Sequence, residues 1–372
     1  MLGVGIVGCG NISEAYLKLA PLFRDFEIRA VADLDASRAE RRAGQFGVRA
    51  ETVEGLLRAR DVDAVVNLTV PAAHHAVTRA ILEAGKHAYS EKPFVLSVEE
   101  GERLRELAAA KGLRVGSAPD TFLGGAHQRA RALVDEGALG RVLGGSAHVM
   151  GHGMEGWHPD PDFFFRPGGG PVLDMGPYYV TWLVNVLGPV RSVAATAKAG
   201  FPTRTIGVGP REGEVLEVST ATDVQAILEF ASGATVAFGA SWDVWAHRHP
   251  NLELYGETAS LYVPDPNFFG GPVTLARDEE EASGWDHPFG ADNHAMHDGT
   301  PVANWRGAGL ADMARAIAEG RPHRCSLDLA LHVVDVLLSV LRAGEERAWV
   351  EVGTTCARPA ALGPEEARGL LR

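Results

Sequence analysis

The chain has 372 residues, 46% hydrophobic and 22% charged, with 48 acidic against 35 basic side chains for a net charge of −13. That length calls for two domains and that composition for a sizeable core, so dominant disorder is excluded. The arginines are scattered along helical stretches with no basic run, and the acidic balance argues against a nucleic-acid or membrane partner.

In chain order, apolar runs at 3–7, 28–32, 64–68, 87–89 and 113–115 alternate with stretches of helical spacing at 12–22, 36–45, 73–83 and 98–110. This alternation predicts a doubly wound parallel sheet, an α/β domain over residues 1–120. Directly after the first run, Gly8-Cys9-Gly10-Asn11-Ile12-Ser13 opens a helix. Backbone N–H groups and a helix N-terminus cradle a dinucleotide pyrophosphate at such a turn, although the third glycine of the usual pattern is replaced by Ser13. Asp33 closes the second run, where a carboxylate binds ribose hydroxyls and repels the 2′-phosphate of NADP, so NAD is favoured. Arg38 leaves NADP open, while its spacing also suits an exposed helix face. Glu91-Lys92-Pro93 falls at the carboxyl ends of the strands, where doubly wound sheets bind ligands. Lys92 is one of five lysines, and lysine, unlike arginine, releases its proton when burial demands it. Pro93 restricts its backbone. The same tripeptide also suits a plain surface turn.

Beyond residue 120 the pattern changes. Strand-like runs at 142–149, 190–197, 214–220, 224–230, 235–241, 252–255 and 260–263 follow one another, with helical segments at 172–186, 310–319 and 327–341. They predict an α+β domain over 121–372 with a large, mostly antiparallel open sheet. Long Gly- and Pro-rich loops at 151–170 and 264–272 have the length of lids or binding loops. In Gly168-Gly169-Gly170-Pro171-Val172-Leu173-Asp174-Met175-Gly176-Pro177-Tyr178-Tyr179, Asp174 and Tyr178 are four apart and share a helix face, a carboxylate and a phenol suited to proton transfer. Pro177 is awkward inside that helix and favours a later start. Trp157, His158, Phe163, Phe164 and Phe165 either form a sugar-stacking wall or bury their loop. Arg306 either reaches the substrate or caps the helix beginning near Gly309. His287, His294 and His297 with Asp286, Asp292 and Asp298 match no standard metal spacing and read as a solvated loop, so no metal is expected.

Cys9, Cys325 and Cys356 form no CxxC and no disulfide framework. No apolar run reaches membrane-spanning length, and the first strand is expected from Leu2 without a leader before it. The expectation is a cytoplasmic protein.

Taken together, the segment from Gly5 through Ser13, Ala84-Gly85-Lys86-His87, Glu91-Lys92-Pro93 and the Gly-rich helix resemble the Gfo/Idh/MocA family of glucose-fructose oxidoreductase and inositol dehydrogenase. The resemblance implies a nicotinamide cofactor on the N-terminal Rossmann domain and a sugar or polyol held between it and the second domain's sheet, which also mediates dimers or tetramers. Carried onto this chain, it gives Lys92, Asp174 and Tyr178 as catalytic residues. Gly8, Gly10, Asn11, Ile12, Asp33, Arg38, Thr69, Pro71, His75, Glu91 and Lys92 fall to the cofactor, and Lys92, Trp157, His158, Asp174, Tyr178 and Arg306 to the substrate. Many members have His where this chain has Tyr178. A phenol accepts a proton readily only when a neighbouring cation lowers its pKa, a part that Lys92 is able to play, and His152 or His158 of the neighbouring loop is the alternative base. The implied activity is NAD(P)-dependent oxidation or reduction of a sugar, inositol or sugar-derivative carbinol. Two alternatives are an NAD-dependent glycosidase using transient redox and a catalytically silent sugar- or nucleotide-sensing regulator.

Overall fold

The structure, a computed structural model, describes residues 1–277, 280–281, 285–296 and 299–372. The chain folds into two compact units. The first comprises residues 1–128, 286–331 and 359–372, the second 129–285 and 332–358. The chain therefore passes between them after residues 128, 285, 331 and 358.

The first unit is built on strands β1 (Leu2–Val7), β2 (Phe26–Ala32), β3 (Arg49–Glu51), β4 (Ala64–Asn67), β5 (His87–Ser90) and β6 (Val115–Ser117). They lie in the order β3-β2-β1-β4-β5-β6 and every pair is parallel, the doubly wound arrangement expected from the alternation of runs. β4 is buried along its whole length, as a strand covered on both faces must be. The crossovers carry α1 (Asn11–Leu19), α2 (Ala36–Phe46), α3 (Val53–Arg58), α4 (His74–Glu83) and α5 (Val98–Lys111). α2 and α5 are capped as their sequences dictate. Asp35 and Ser97 accept from the N–H groups of Ser37 and Glu100, and Gly47 and Gly112 end the helices in the left-handed region. β3 and α3 give no sequence signal, being three and six residues long with β3 largely exposed.

The later segments of this unit hold strands and helices numbered below. Near its edge the main chain of Cys325 accepts from Ser117 N–H, and Ser326 bridges Gly116 of β6. The final residues return to the start of β2, where Leu371 bridges Phe23.

α6 (Gly125–Asp135) leads to the second unit. There β7 (Val142–Met150), α7 (Gly170–Asp174), α8 (Gly176–Leu187), β8 (Val190–Lys198), β9 (Thr203–Thr205), β10 (Val215–Glu217), β11 (Asp223–Phe230), β12 (Thr235–Ser241), β13 (Leu252–Gly256), β14 (Ser260–Val263), β15 (Thr274–Leu275) and β16 (Glu280–Glu281) follow in turn. β17 (His294–Ala295), β18 (Pro301–Val302) and α9 (Ala308–Glu319) belong to the first unit, and α10 (Leu327–Glu346), β19 (Val350–Glu351) and α11 (Pro364–Leu370) complete the chain. The large sheet runs β16-β15-β14-β13-β7-β12-β11-β8-β19, antiparallel except for β7 against β12. Along β11, Val224, Ala226, Leu228 and Phe230 are buried while Gln225 and Ile227 are exposed, so one face is covered and the other open. The covering helices approach closely: a Cβ on Gly344 of α10 would meet Ala197 of β8, and one on Gly176 of α8 would meet Leu337 of α10.

Two expectations need correction here. The run at 214–220 is not a strand of the large sheet; its centre, β10, pairs with β9 in a separate hairpin. The helix expected over 172–186 is two helices, because Pro177 cannot donate the hydrogen bond that would carry α7 onward, so α7 ends at Asp174 and α8 begins at Gly176.

Candidate functional site

At the carboxyl end of β1 the chain turns through Gly8 with φ +101, a conformation that favours glycine, and a Cβ there would lie 2.6 Å from the Leu68 carbonyl. A Cβ on Gly10 would meet nothing within 4 Å, and α1 starts at Asn11 with no side chain capping its first turn. Uncapped N–H donors beside open space at a helix N-terminus are what a pyrophosphate requires, so these residues fit the dinucleotide that the turn implies. Ser13 fits where glycine is usual because it is wholly buried and its hydroxyl donates to Gly10 O at 2.6 Å.

Asp33 ends β2's approach to this turn. Its Oδ2 accepts from Cys9 N at 2.7 Å and its Oδ1 from Asp35 N at 2.9 Å, which fixes the carboxylate beside the glycines. The buried Cys9 thiol is pushed up to about 11, first by burial and then by Asp33, so it is no nucleophile. Arg38 is exposed on α2 and pairs with Asp35 at 3.5 Å. A second arginine, missed in the sequence, is closer to the turn: Arg42 donates to Gly10 O at 3.4 Å and pairs with Glu14 at 2.7 Å.

A polar frame joins the ends of β4 and β5. Fully buried Asn67 accepts from Thr69 Oγ1 at 2.7 Å, donates to His74 O and Thr78 Oγ1 at 3.1 Å each, and its carbonyl accepts from Glu91 N at 2.9 Å. Glu91 in turn accepts from Tyr16 Oη at 3.2 Å and from Lys92 N at 3.1 Å. Lys92 is thus held by its backbone in a half-buried turn, and the Lys92–Pro93 peptide bond is cis. Pro71 opens the short turn before α4. His75, expected at the cofactor, has its ring 3.9 Å from Glu100. The ring that reaches the frame belongs to His74, with Nδ1 2.6 Å from Pro93 O and Nε2 2.9 Å from Thr69 O. Helical phase carries the signal that singles out His74: the buried positions of α4 are His74, Thr78, Ile81 and Leu82.

Arg306 is half-buried, with its guanidinium 3.2 Å from Asn304 Oδ1. It does not cap α9. The N–H groups of Gly307 and Gly309 are taken by Asp120 Oδ2 at 2.8 and 3.0 Å, as expected of a helix N-terminus, which attracts an anion. Burial pushes Asp120 up to about 6 against these two bonds and the Arg306 charge.

In the second unit, every residue from Pro171 to Gly188 is buried except Asp174, Met175 and Tyr178. α8 is buried around nearly its whole circumference, Thr181 and Asn185 included, so the carboxylate and the phenol are the polar groups this segment leaves accessible. The loop before them splits the expected aromatic wall in two. Phe164 and Phe165 bury with Ile206, Leu216 and Trp242, whereas Trp157 is 62% and Phe163 49% exposed. His158 stands edge-on to Trp157, Phe163 and Phe164 at 5.4–5.8 Å. The hairpin β9–β10 braces this loop through Arg204, which pairs with Glu155 at 2.8 Å and with Asp243 and lies over Phe201. Arg211 adds ion pairs to Asp160 and Asp162.

His287 is buried in the first unit, bonded to Leu362 O at 3.0 Å and pushed down to about 4 by burial, while Asp286 pairs with Arg368. His297 and Asp298 lie outside the described residues. Among the described residues no group of three His, Cys, Asp or Glu side chains is placed to hold a metal, and no helix is long and apolar enough to cross a membrane.

The strand order, the glycine turn and the fixed Asp33 define a Rossmann-type dinucleotide-binding protein. Residues 2–118 match the oxidoreductase family with an NAD-binding Rossmann fold, and residues 127–262 match the GFO/IDH/MocA C-terminal domain. The dTDP-3,4-didehydro-2,6-dideoxy-alpha-D-glucose 3-reductase of Saccharopolyspora spinosa is 32% identical over 268 residues, 70% of this chain and 74% of that one. The same reductase of Streptomyces violaceoruber is 32% identical over 250 residues, 65% and 69% of the two chains. The levoglucosan dehydrogenase of Pseudarthrobacter phenanthrenivorans is 24% identical over 388 residues, 94% and 98%. A solved levoglucosan dehydrogenase in complex with NADH and levoglucosan shares the fold with a TM-score of 0.78 at 22% identity, covering 94% of this chain and 99% of that one. The chain belongs to the Gfo/Idh/MocA oxidoreductase family.

Proposed function

We propose that this oxidoreductase moves a hydride between NAD and a carbinol carbon of a sugar, an inositol or a sugar derivative. The observation that carries the reading is the glycine turn with Asp33 fixed beside it and Lys92 held at the end of β5, two strands from β1 in the same sheet. Its support in substrate class is that the relatives reported above are sugar reductases and dehydrogenases. We assign dinucleotide binding to the first unit, and substrate binding with oligomerisation through the open sheet face to the second. NAD is favoured over NADP by the Asp33 carboxylate, and Arg38 is spent on Asp35.

Bound NAD supplies the hydride acceptor at nicotinamide C4. The protein's part is to hold the carbinol and take its proton. Lys92 polarises the hydroxyl and Tyr178, in place of the family's more common His, accepts the proton, with Asp174 orienting the group that gives it. Trp157 offers its exposed face to the apolar side of a sugar ring, and His158 and Arg306 supply polar contacts. The cysteine usage and the acidic surface suit a cytoplasmic enzyme that assembles as a homodimer or homotetramer.

The reading is tested by following reduced nicotinamide through its near-ultraviolet absorbance, with NAD or NADP and a panel of sugars, inositols, sugar acids and aryl glycosides. Steady NADH production on a panel member is expected. Aglycone release without net NADH would replace the reading with a redox-cycling glycosidase, and silence throughout with a regulator. With a substrate in hand, Tyr178→Phe is expected to lower kcat by roughly a hundredfold or more with little change in NADH affinity. Wild-type turnover by that variant would remove Tyr178 from the chemistry.

A further inference from the structure

His74 is 1% exposed at the first position of α4, and both of its ring nitrogens meet main-chain carbonyls from the two segments that frame the site. Nδ1 lies 2.6 Å from Pro93 O, immediately beyond Lys92, and Nε2 lies 2.9 Å from Thr69 O, at the end of β4. The main chain of His74 accepts from Asn67, whose side chain also takes Thr69 and whose carbonyl takes Glu91. One residue thus closes a ring of bonds from β4, through the Thr69 turn and α4, to the Lys92-Pro93 turn.

We propose that His74 is the positioning residue of the cofactor site: its ring ties the Thr69 turn to the Lys92-Pro93 turn, so that affinity for NAD(H) depends on the bonds it makes. This rests on the assignment of Thr69 and Lys92 to that site. A neutral imidazole has one N–H and donates to one carbonyl; only the imidazolium donates to both. The two carbonyls and the Glu91 carboxylate favour the charged ring. Burial opposes it, as do the Lys92 ammonium and the N-terminus of α4, and burial is the largest of the effects, holding the ring below its ordinary value. Glu100 on the facing helix α5 is engaged with Leu96 N and lies near the His75 ring. At neutral pH the clamp therefore has one strong bond, and acidification adds the second. Linkage then requires that NADH, if it binds the doubly bonded clamp better, raises the His74 pKa in return.

The test measures NADH affinity by protein fluorescence on the full chain across the mildly acidic to neutral range, for the wild type, His74→Gln and His323→Gln. His323 is a control: it too is buried in the first unit and meets one main-chain carbonyl, Val115 O at 3.0 Å. His74→Gln is expected to weaken NADH about tenfold at neutral pH, with the deficit growing as pH falls, while His323→Gln stays near wild type. Unchanged affinity in His74→Gln, or an equal loss in His323→Gln, overturns the proposal. If His74→Gln does not fold, histidine C2-hydrogen exchange read by mass spectrometry on the wild type decides. A His74 pKa that rises with NADH while that of His323 stays put supports the clamp, and no response at His74 overturns it. Sugar turnover is not read in either measurement, so a failure of the substrate assignment shows separately, as NADH binding without oxidation of any panel member.

Discussion

Asp120 is a buried carboxyl group, and burial pushes it up to about 6 although Gly307 and Gly309 both donate to it. A carboxyl raised from 3.8 in the unfolded chain contributes its stability in full below 3.8 and loses it as pH rises toward 6. Asp120→Asn keeps an acceptor for both N–H groups and removes the charge. Across that interval the variant is expected to gain about 3 kcal/mol on the wild type, read by urea titration at the two ends. Parallel curves would show that the charge costs nothing where it sits. At this scale the sequence is legible where chemistry is local. Gly8, Gly10, Asp33 and Glu91-Lys92-Pro93 announce themselves by spacing, and each takes its expected place at a strand end. Tyr16 and Asp120 do not, because their bonds reach residues 75 and 187 or more positions away, and Asn67 does not, because its bonds to Thr69, His74, Thr78 and Glu91 form only once β4, α4 and β5 are assembled. The adjacent pair His74 and His75 shows how narrow the margin is. One step of helical phase decides which ring faces the frame.

At the scale of elements, the apolar periods locate the core strands and most of the long helices to within a few residues, since burial of one face dictates them, but they do not mark α6. What they cannot mark is an element held by polar groups. The hairpin β9–β10 is such a case: its Arg204 is almost wholly buried, pairs with Glu155 and Asp243, and donates to Trp242 O at 3.1 Å. Removing one partner leaves the others charged and dry. Arg204→Met is therefore expected to cost about 3–5 kcal/mol and to expose the loop 151–170 to proteolysis, while Arg204→Met combined with Glu155→Gln recovers part of the loss. A calorimetric melt and limited trypsin digestion report the two effects; an unaltered melting temperature would mean that the aromatic cluster alone holds the loop. The same loop explains why the aromatic residues divide as they do. Phe164 and Phe165 are fixed by packing on Trp242, which frees Trp157 and Phe163 to face outward.

For the molecule as a whole, the composition foretells a core and an acidic surface, and the alternation of elements foretells two architectures, but not the path between them. Residues 286–331 and 359–372 join the first unit by packing against partners far earlier in the chain, and no local period encodes that. The open face of the second unit's sheet presents Gln225, Ile227, Tyr255 and Tyr262. If copies associate there, Ile227→Glu is expected to lower the mass seen by light scattering toward one chain without affecting NADH binding. A wild-type protein of single-chain mass would dispose of the interface.

The pairing of β6 with Cys325 and Ser326 has a consequence for synthesis. A ribosome delivers all six strands of the parallel sheet by Ser117, but the segment that covers the outer edge of that sheet emerges only after the whole of the second unit's large sheet except β19. Until then a nascent chain carries an unguarded strand edge of the kind that recruits other chains. The second unit is thus an insertion in time as well as in sequence, and the time taken to synthesise it sets how long that edge waits.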